Sequence, residues 1–153
     1  MNELEIINDD ILNCTEGLIV HGCNASGAMG SGIAKQIRAK YPDVYTKFKT
    51  IPEGLVSMGK LQIVKVSDAL YIGNAITQLN YGNDGKRYAS VDAIYNSLKQ
   101  AFAFCLIYEY ELLCPKIGCG LGGLDWTTDV KPIFKELMQE YPTVKVKIFE
   151  LNK

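Results

Sequence analysis

The stretch Val20–Lys35, VHGCNASGAMGSGIAK, decides how this chain is read. The apolar run Leu18-Ile19-Val20 stops at His21-Gly22, a loop of Gly, Ala, Ser and Asn follows, and Gly32-Ile33-Ala34-Lys35 opens a helix. A strand, a small-residue loop and a helix N-terminus in succession converge several backbone N–H groups and the positive end of a helix dipole on one point. That point suits a phosphate or another anion. The same pattern also serves as a ligand-free glycine-rich connection, so the rest of the chain has to separate the two readings.

On the C-terminal side, Ile33, Ile37 and Tyr41 repeat at helical spacing until Pro42 ends the helix, and Val44–Lys49 adds further turns. On the N-terminal side, Leu4–Ile7 reads as a short strand. A loop with a short extended piece is expected over Gly54–Gly59. Leu61–Val66 alternates with period two and Leu70–Ile76 is a second strand, with Asp68 marking the turn of a hairpin. Gln78–Ala89, QLNYGNDGKRYA, is polar and rich in turn residues, and predicts a long exposed loop of the kind that forms lids and binding loops. Ser90 is an N-cap, after which Val91, Ile94, Tyr95, Leu98, Phe102, Cys105 and Leu106 share a helical face. A strand over Glu111–Ile117 is interrupted by Pro115. A second glycine loop, Gly118–Trp126, leads to an amphipathic helix on Val130, Ile133, Phe134, Leu137, Met138 and Tyr141, with Pro132 in its first turn. Val144–Leu151 is the last strand. Strands alternating with helices predict an α/β fold, a three-layer α/β/α sandwich with a mixed central sheet, as a single domain over residues 1–153. Both glycine loops follow strands and precede helices, so both line the end of the sheet where such folds bind ligands.

Composition narrows the function classes. Apolar residues at 48% and charged residues at 22% of 153 residues describe an ordinary globular protein. A net charge of −1 excludes a global basic field for nonspecific nucleic-acid binding. The charge is uneven, since no Lys or Arg precedes Lys35 whereas Glu3, Glu5, Asp9, Asp10 and Glu16 do. The five cysteines form no CxxC pair and read as reduced thiols, which places the chain in the cytoplasm with no disulfide framework and no zinc ribbon. No signal peptide and no membrane span are expected.

Gly118, Gly120 and Gly123 satisfy GxGxxG, but a dinucleotide fold needs an acid roughly 20 residues on, and Tyr141-Pro142-Thr143 offers none. Gly27, Gly30 and Gly32 run in the reverse order, and no Gly-Lys-Ser/Thr completes a Walker loop. Two glycine loops at one crevice still suit a ligand with two phosphates. The groups available for chemistry each have a plainer alternative. His21, the only histidine, is a base or a satisfied structural residue. Lys86 is catalytic or a solvated surface lysine. Asp125 is an acid or a helix-entry residue. Cys119 is a thiol activated at a helix N-terminus or a small residue in a tight loop. Asn24 suits ribose hydroxyls or stabilises its own loop. No metal-ligand spacing is present.

Taken together, these residues resemble the macrodomain family of ADP-ribose binders and hydrolases, over nearly the whole chain. The resemblance rests on Asp9-Asp10-Ile11, Gly22-Cys23-Asn24, Gly30-Ser31-Gly32-Ile33-Ala34 and Pro115–Gly123 in that order. It implies that Asp10 binds the adenine amino group and the Ile11 N–H a ring nitrogen. Asn24 with Gly30, Gly32 and Ile33 would hold the distal ribose. Gly118, Cys119, Gly120, Leu121, Gly122 and Gly123 would wrap the diphosphate. The chain looks most like the branch with the ADP-ribose-1″-phosphate phosphatase, the terminal ADP-ribose glycohydrolase and the antitoxins that reverse DNA ADP-ribosylation. In that branch a lysine like Lys86 acts at the anomeric carbon of the distal ribose. The glycohydrolase carries a catalytic Asp directly after its Gly-Cys-Gly-Leu, where this chain has Gly122, and Asp125 comes three residues later. The resemblance therefore implies a hydrolase that removes a phosphate, protein carboxylate or nucleobase from the 1″ position of ADP-ribose. Lys86 and Asp125 would be its catalytic groups, without metal or cofactor, acting on ADP-ribosylated protein or DNA. The alternative is a reader that binds ADP-ribose without chemistry.

Overall fold

A computed structural model describes residues 4–27, 29, 32–52, 57–79, 89–120 and 122–151. Six strands form one mixed sheet: β1 (Glu5–Ile7), β2 (Gly17–Asn24), β3 (Leu61–Lys65), β4 (Leu70–Gln78), β5 (Leu112–Pro115) and β6 (Val146–Phe149), in the order β1-β6-β5-β2-β4-β3. Among the described strands only the β3–β4 pair is antiparallel, as the expected hairpin requires; its turn is closed by Val66 and Ser67 amides donating to the Leu70 carbonyl at 3.0 and 3.2 Å. The helices are α1 (Gly32–Lys40), α2 (Pro42–Lys49), α3 (Val91–Tyr108) and α4 (Lys131–Glu140).

The period-two alternation of the strands sorts the core into two layers. Leu18, Val20, Leu112, Cys114, Val146 and Ile148 point to one face, where α3 and α4 cover them with Ile94, Leu98, Phe102, Phe134 and Leu137. Ile19, Ile72, Ile76 and Leu113 point to the other face, under Ile37 of α1 and Val44 and Phe48 of α2. β2 is covered on both sides, as a central parallel strand must be. The sandwich thus has the three layers that the alternation of strands and helices predicted. Among the described residues no helix is long and apolar enough to cross a membrane.

Three local expectations need correction. β2 does not stop at Val20 but continues through His21, Gly22, Cys23 and Asn24. β5 ends at Pro115 and does not reach Ile117, because proline has no N–H to extend the ladder; the Ile117 amide instead turns back onto the Pro115 carbonyl at 2.7 Å. Leu106 is not on the buried face of α3 and is 47% exposed. The last turn of α3 directs Phe104 onto Tyr71, with ring centroids 5.3 Å apart, and Tyr108 onto Phe104, 4.7 Å apart. Leu106 lies about 200° round the helix from Phe104 and so faces outward. Residues 54–56 of the piece expected over Gly54–Gly59 lie outside the described residues, and Met58-Gly59 form a turn.

Candidate active site

β2, β4 and β5 run parallel, so their carboxyl ends share one edge of the sheet. At that edge the chain segments are tied to one another. The Ala25 amide donates to the Gln78 carbonyl at 2.8 Å, and Gln78 forms an antiparallel bridge with Ala89. The Ser90 amide donates to Thr77 at 2.8 Å, and the Ala89 amide donates to the Gly122 carbonyl at 3.0 Å. The two ends of the polar segment 79–89 are therefore pinned together, one beside the first glycine loop and the other on the second. Gly22 brings the loops closer still. A Cβ there would lie 3.0 Å from Thr77 Oγ1 and 3.4 Å from Ile117 Cγ1, so glycine lets β2 pass near the residue before Gly118 without pushing these side chains aside.

The first loop begins at a register shift in β2 between Cys23 and Asn24. Asn24 is 8% exposed, and its Oδ1 accepts from Ser26 Oγ while its carbonyl accepts from the Gly27 amide at 3.2 Å. Gly32 starts α1 with φ +59°, a left-handed conformation that side chains resist, and Ile33 follows half-buried. Gly30 lies outside the described residues. At the other side of β2, Asp10 caps a single 3-10 turn over Ile11–Asn13: its Oδ1 accepts from the Leu12 amide at 2.9 Å, and Ile11 is buried. A carboxylate has lone pairs for several donors, so this cap leaves acceptor capacity for a ligand amine. Lys40 Nζ donates to the Leu12 carbonyl at 2.5 Å and fixes this turn to the end of α1.

The second loop is wound on itself. The Cys119, Gly123 and Leu124 amides donate to Lys116, Gly120 and Gly118 at 3.1, 3.2 and 2.9 Å. The amides of Gly120 and Gly122 have no acceptor among the described residues. Gly118 and Gly123 have φ of +78° and +81°. Gly122 is the tightest position: a Cβ there would lie 2.6 Å from the Gly118 carbonyl oxygen. Leu121 lies outside the described residues. A loop of successive amides with spare donors is an anion-binding concavity.

The groups considered for chemistry fall into place unevenly. Asp125 is an exposed helix-entry residue. Its Oδ2 accepts from Thr128 Oγ1 at 2.7 Å, and its amide donates to Asp129 Oδ2 at 2.8 Å, closing the π-helical turn Trp126–Val130 that leads into α4. Cys119 is not activated: burial, with Asp125 nearby, pushes its thiol up to about 11, and its Sγ donates to the Ile117 carbonyl at 3.5 Å. Lys86 lies outside the described residues, three positions before Ala89.

His21 takes the structural alternative. It is fully buried inside β2, with Nε2 2.6 Å from Asn74 Oδ1. Asn74 Nδ2 donates to Gln62 Oε1 at 3.0 Å, and Gln62 Nε2 donates to the Lys47 carbonyl at 3.1 Å. The carbonyl can only accept, so the whole chain of bonds has one polarity and His21 carries its proton on Nε2. Burial pushes its pKa down to about 4. An unfolded histidine takes up its proton near 6.5 and the folded one only near 4, so the unfolded state binds more protons between these values. Stability is present in full above pH 6.5 and is lost as pH falls toward 4, by about 3 kcal/mol from this group. Thermal unfolding between pH 7 and 4.5 checks it, and His21→Asn should remove this part of the pH dependence.

One residue at this edge escaped the sequence reading. Thr77 Oγ1 is buried at the end of β4 with no hydrogen-bond partner among the described residues. Nothing in ITQLN distinguishes it, because its burial depends on a neighbouring strand: a Cβ on Gly22 would lie 3.0 Å from its Oγ1. Thr77→Val removes an unsatisfied hydroxyl while keeping the shape, so the folded state is expected to gain about 1 kcal/mol, read as a higher denaturation midpoint.

A mixed sheet between two helical layers, with two glycine loops meeting at the carboxyl ends of its parallel strands, defines an α/β ligand-binding fold. The Macro domain pattern matches residues 20–133, and the chain belongs to that family. It is 30% identical over 144 residues to the DNA ADP-ribosyl glycohydrolase of Mycobacterium tuberculosis, a match that takes in 92% of this chain and 40% of that protein. The chain thus spans about two-fifths of the length of that relative. It is 24% identical over 184 residues to the ADP-ribose 1″-phosphate phosphatase of Candida glabrata, covering 99% of this chain and 100% of the relative. The macrodomain of Mycobacterium tuberculosis DarG superposes with a TM-score of 0.84 at 25% identity, covering 99% of this chain and 100% of that one.

Proposed function

We propose that this chain is a hydrolase that binds ADP-ribose at the carboxyl edge of β2, β4 and β5 and removes the substituent on its 1″ carbon, with a DNA nucleobase as the leaving group. The observation that carries the reading is the joint anchoring of three segments at that edge: Asn24–Ala25 on Gln78, Ala89 on Gly122, and Gly22 against Ile117. The names of the relatives, glycohydrolase on DNA and phosphatase on the 1″ phosphate, support the reaction class. In this reading Asp10 and the Ile11 amide take the adenine, and the loop of Gly118, Cys119, Gly120, Leu121, Gly122 and Gly123 frames the diphosphate, with the spare Gly120 and Gly122 amides as donors. Asn24, Gly30, Gly32 and Ile33 hold the distal ribose. Lys86 works at the anomeric carbon as base or nucleophile. Its amine must be partly deprotonated, which removal from water favours. Asp125 serves as the acid, and its carboxylate has to leave Thr128 to reach a substrate. The five cysteines, all free thiols, support a cytoplasmic setting.

A second reading, a module that binds ADP-ribose without chemistry, is favoured by one observation. The position that follows Gly-Cys-Gly-Leu is Gly122, and its Cα has no room for a side chain. Turnover of ADP-ribosylated DNA, ADP-ribosylated protein and ADP-ribose-1″-phosphate by the wild type and by Lys86→Ala decides between the two. Release of ADP-ribose from DNA by the wild type is the expected result. Binding of ADP-ribose with no product from any of the three substrates overturns the hydrolase.

A further inference from the structure

Charge is segregated in this chain. Residues 32–50 hold Lys35, Arg38, Lys40, Lys47 and Lys49 against the single acid Asp43, a net of +4 in a chain whose total is −1. All five cations are exposed on α1 and α2. Elsewhere, Lys65, Lys99, Lys116 and Lys147 are paired with Asp68, Glu140, Glu150 and Glu111. Among the described residues, none of the five on α1 and α2 has an acidic partner.

Lys40 is held toward Leu12 and Lys47 lies about 200° round α2 from Tyr45, but Lys35, Arg38 and Lys49 border a surface with an aromatic centre. The Arg38 guanidinium lies 3.9 Å from the centroid of the Tyr45 ring, and Lys49 Nζ is 6.0 Å from the same ring. Tyr45 and Lys49 are one helical turn apart on α2, and Lys35 and Arg38 are three apart on α1, so each pair shares a face. The surface also reaches the site. A Cβ on Gly27 would lie 3.5 Å from Lys49 Nζ, so this ammonium rests against the loop that follows Asn24.

From this arrangement we infer that the exposed face of α1 and α2 is the track on which a single-stranded nucleic acid lies while its ADP-ribosylated base occupies the site. The inference rests on the reading above, in which the loop after Asn24 holds the distal ribose, and Lys49 beside Gly27 sets this face next to that loop. Unneutralised cations supply the phosphate contacts. The guanidinium plane held over Tyr45 supplies a platform on which a base stacks. An acidic protein would need the charges but not the platform, and this is why the observations favour a nucleic acid.

The test is binding measured by fluorescence anisotropy to a labelled single-stranded oligodeoxynucleotide of about ten nucleotides, with and without one ADP-ribosylated base. Arg38→Glu/Lys49→Glu is expected to weaken binding of the ADP-ribosylated oligonucleotide by about tenfold or more near 50 mM salt. The slope of log K against log salt should become shallower by about 1.4, the share of two phosphate contacts to a single strand. Affinity for free ADP-ribose, measured by calorimetry, is expected to stay unchanged. Arg38→Ala/Lys49→Ala should show the same pattern at smaller size without introducing acids. Lys135→Glu/Lys145→Glu, which makes the same net charge change away from this face, should bind like the wild type.

The proposal is overturned if the Arg38/Lys49 variants bind the oligonucleotide like the wild type, or if they lose an ADP-ribosylated peptide equally. It is also overturned if the Lys135/Lys145 control loses as much. If the wild type does not bind free ADP-ribose, the proposed function fails. Salt-sensitive binding of the unmodified oligonucleotide that disappears in Arg38→Glu/Lys49→Glu would still support the track.

Discussion

Lys86→Ala is expected to lower kcat on ADP-ribosylated DNA by about 10²–10⁴-fold and to leave the affinity for free ADP-ribose within a few fold, because positioned acid–base or nucleophilic groups contribute on that scale. The expectation follows from what the described residues cannot supply. His21 is buried and locked in a bond to Asn74. The Cys119 thiol is pushed up to about 11, so it is protonated at neutral pH. Asp125 is bonded to Thr128. Lys86 is the remaining group that the resemblance points to, and the segment carrying it is anchored at both ends on the two loops. Lys86→Arg is not expected to restore activity, since a guanidinium stays protonated and cannot serve as base or nucleophile. Asp125→Asn is expected to keep the fold, since the Thr128 bond survives the change to an amide oxygen, and to cost less turnover than Lys86→Ala, since the carboxylate acts only after leaving Thr128. Single-turnover kinetics with the three substrates, alongside calorimetry with ADP-ribose, measures both quantities. Unchanged turnover of all three by Lys86→Ala would remove lysine from the mechanism.

The elements that follow a local rule were legible in the chain. Ser90 caps α3 through a bond from the Ala93 amide at 3.2 Å, Pro42 opens α2 directly after α1, and the β3–β4 hairpin forms where the alternation puts it. What escaped depends on neighbours remote in sequence. His21-Gly22-Cys23-Asn24 looks like a loop because polar residues and glycine follow an apolar run. It is strand because Asn74, 53 positions away, accepts from the imidazole, and because Thr77 and Ile117 close over Gly22. The order of strands and helices puts both loops at the carboxyl edge. That Gly122 closes on Gly118 and Ala89 has no local signature, since glycine in a loop reads the same whether it is crowded or open.

That difference between crowded and open glycines gives the second large effect. Gly122→Ala places a methyl 2.6 Å from the Gly118 carbonyl oxygen and 3.0 Å from the Ala89 Cβ. Both neighbours are backbone or backbone-bound, so no side chain can swing away and the loop itself must shift. Forced shifts of this kind cost about 1–3 kcal/mol, which should appear as a lower denaturation midpoint. The shift also breaks the register of the Ala89–Gly122 bond, so ADP-ribose affinity is expected to fall by about tenfold or more, a loss of roughly 1.4 kcal/mol or greater in binding. An Asp at this position, which the resemblance gives to the terminal ADP-ribose glycohydrolase, meets the same obstacle, so Gly122→Asp is not expected to raise activity. Gly120 is the matched opposite. It has nothing within 4 Å of a built Cβ and no positive φ, so Gly120→Ala should leave stability within about 0.5 kcal/mol. Its amide is one of the two spare donors, and a methyl beside it stands where a phosphate has to approach. Gly120→Ala is therefore expected to weaken ADP-ribose binding with the midpoint unchanged, whereas Gly122→Ala lowers both. If Gly120→Ala binds ADP-ribose as the wild type does, the diphosphate does not cross this amide and the role given to the second loop is wrong.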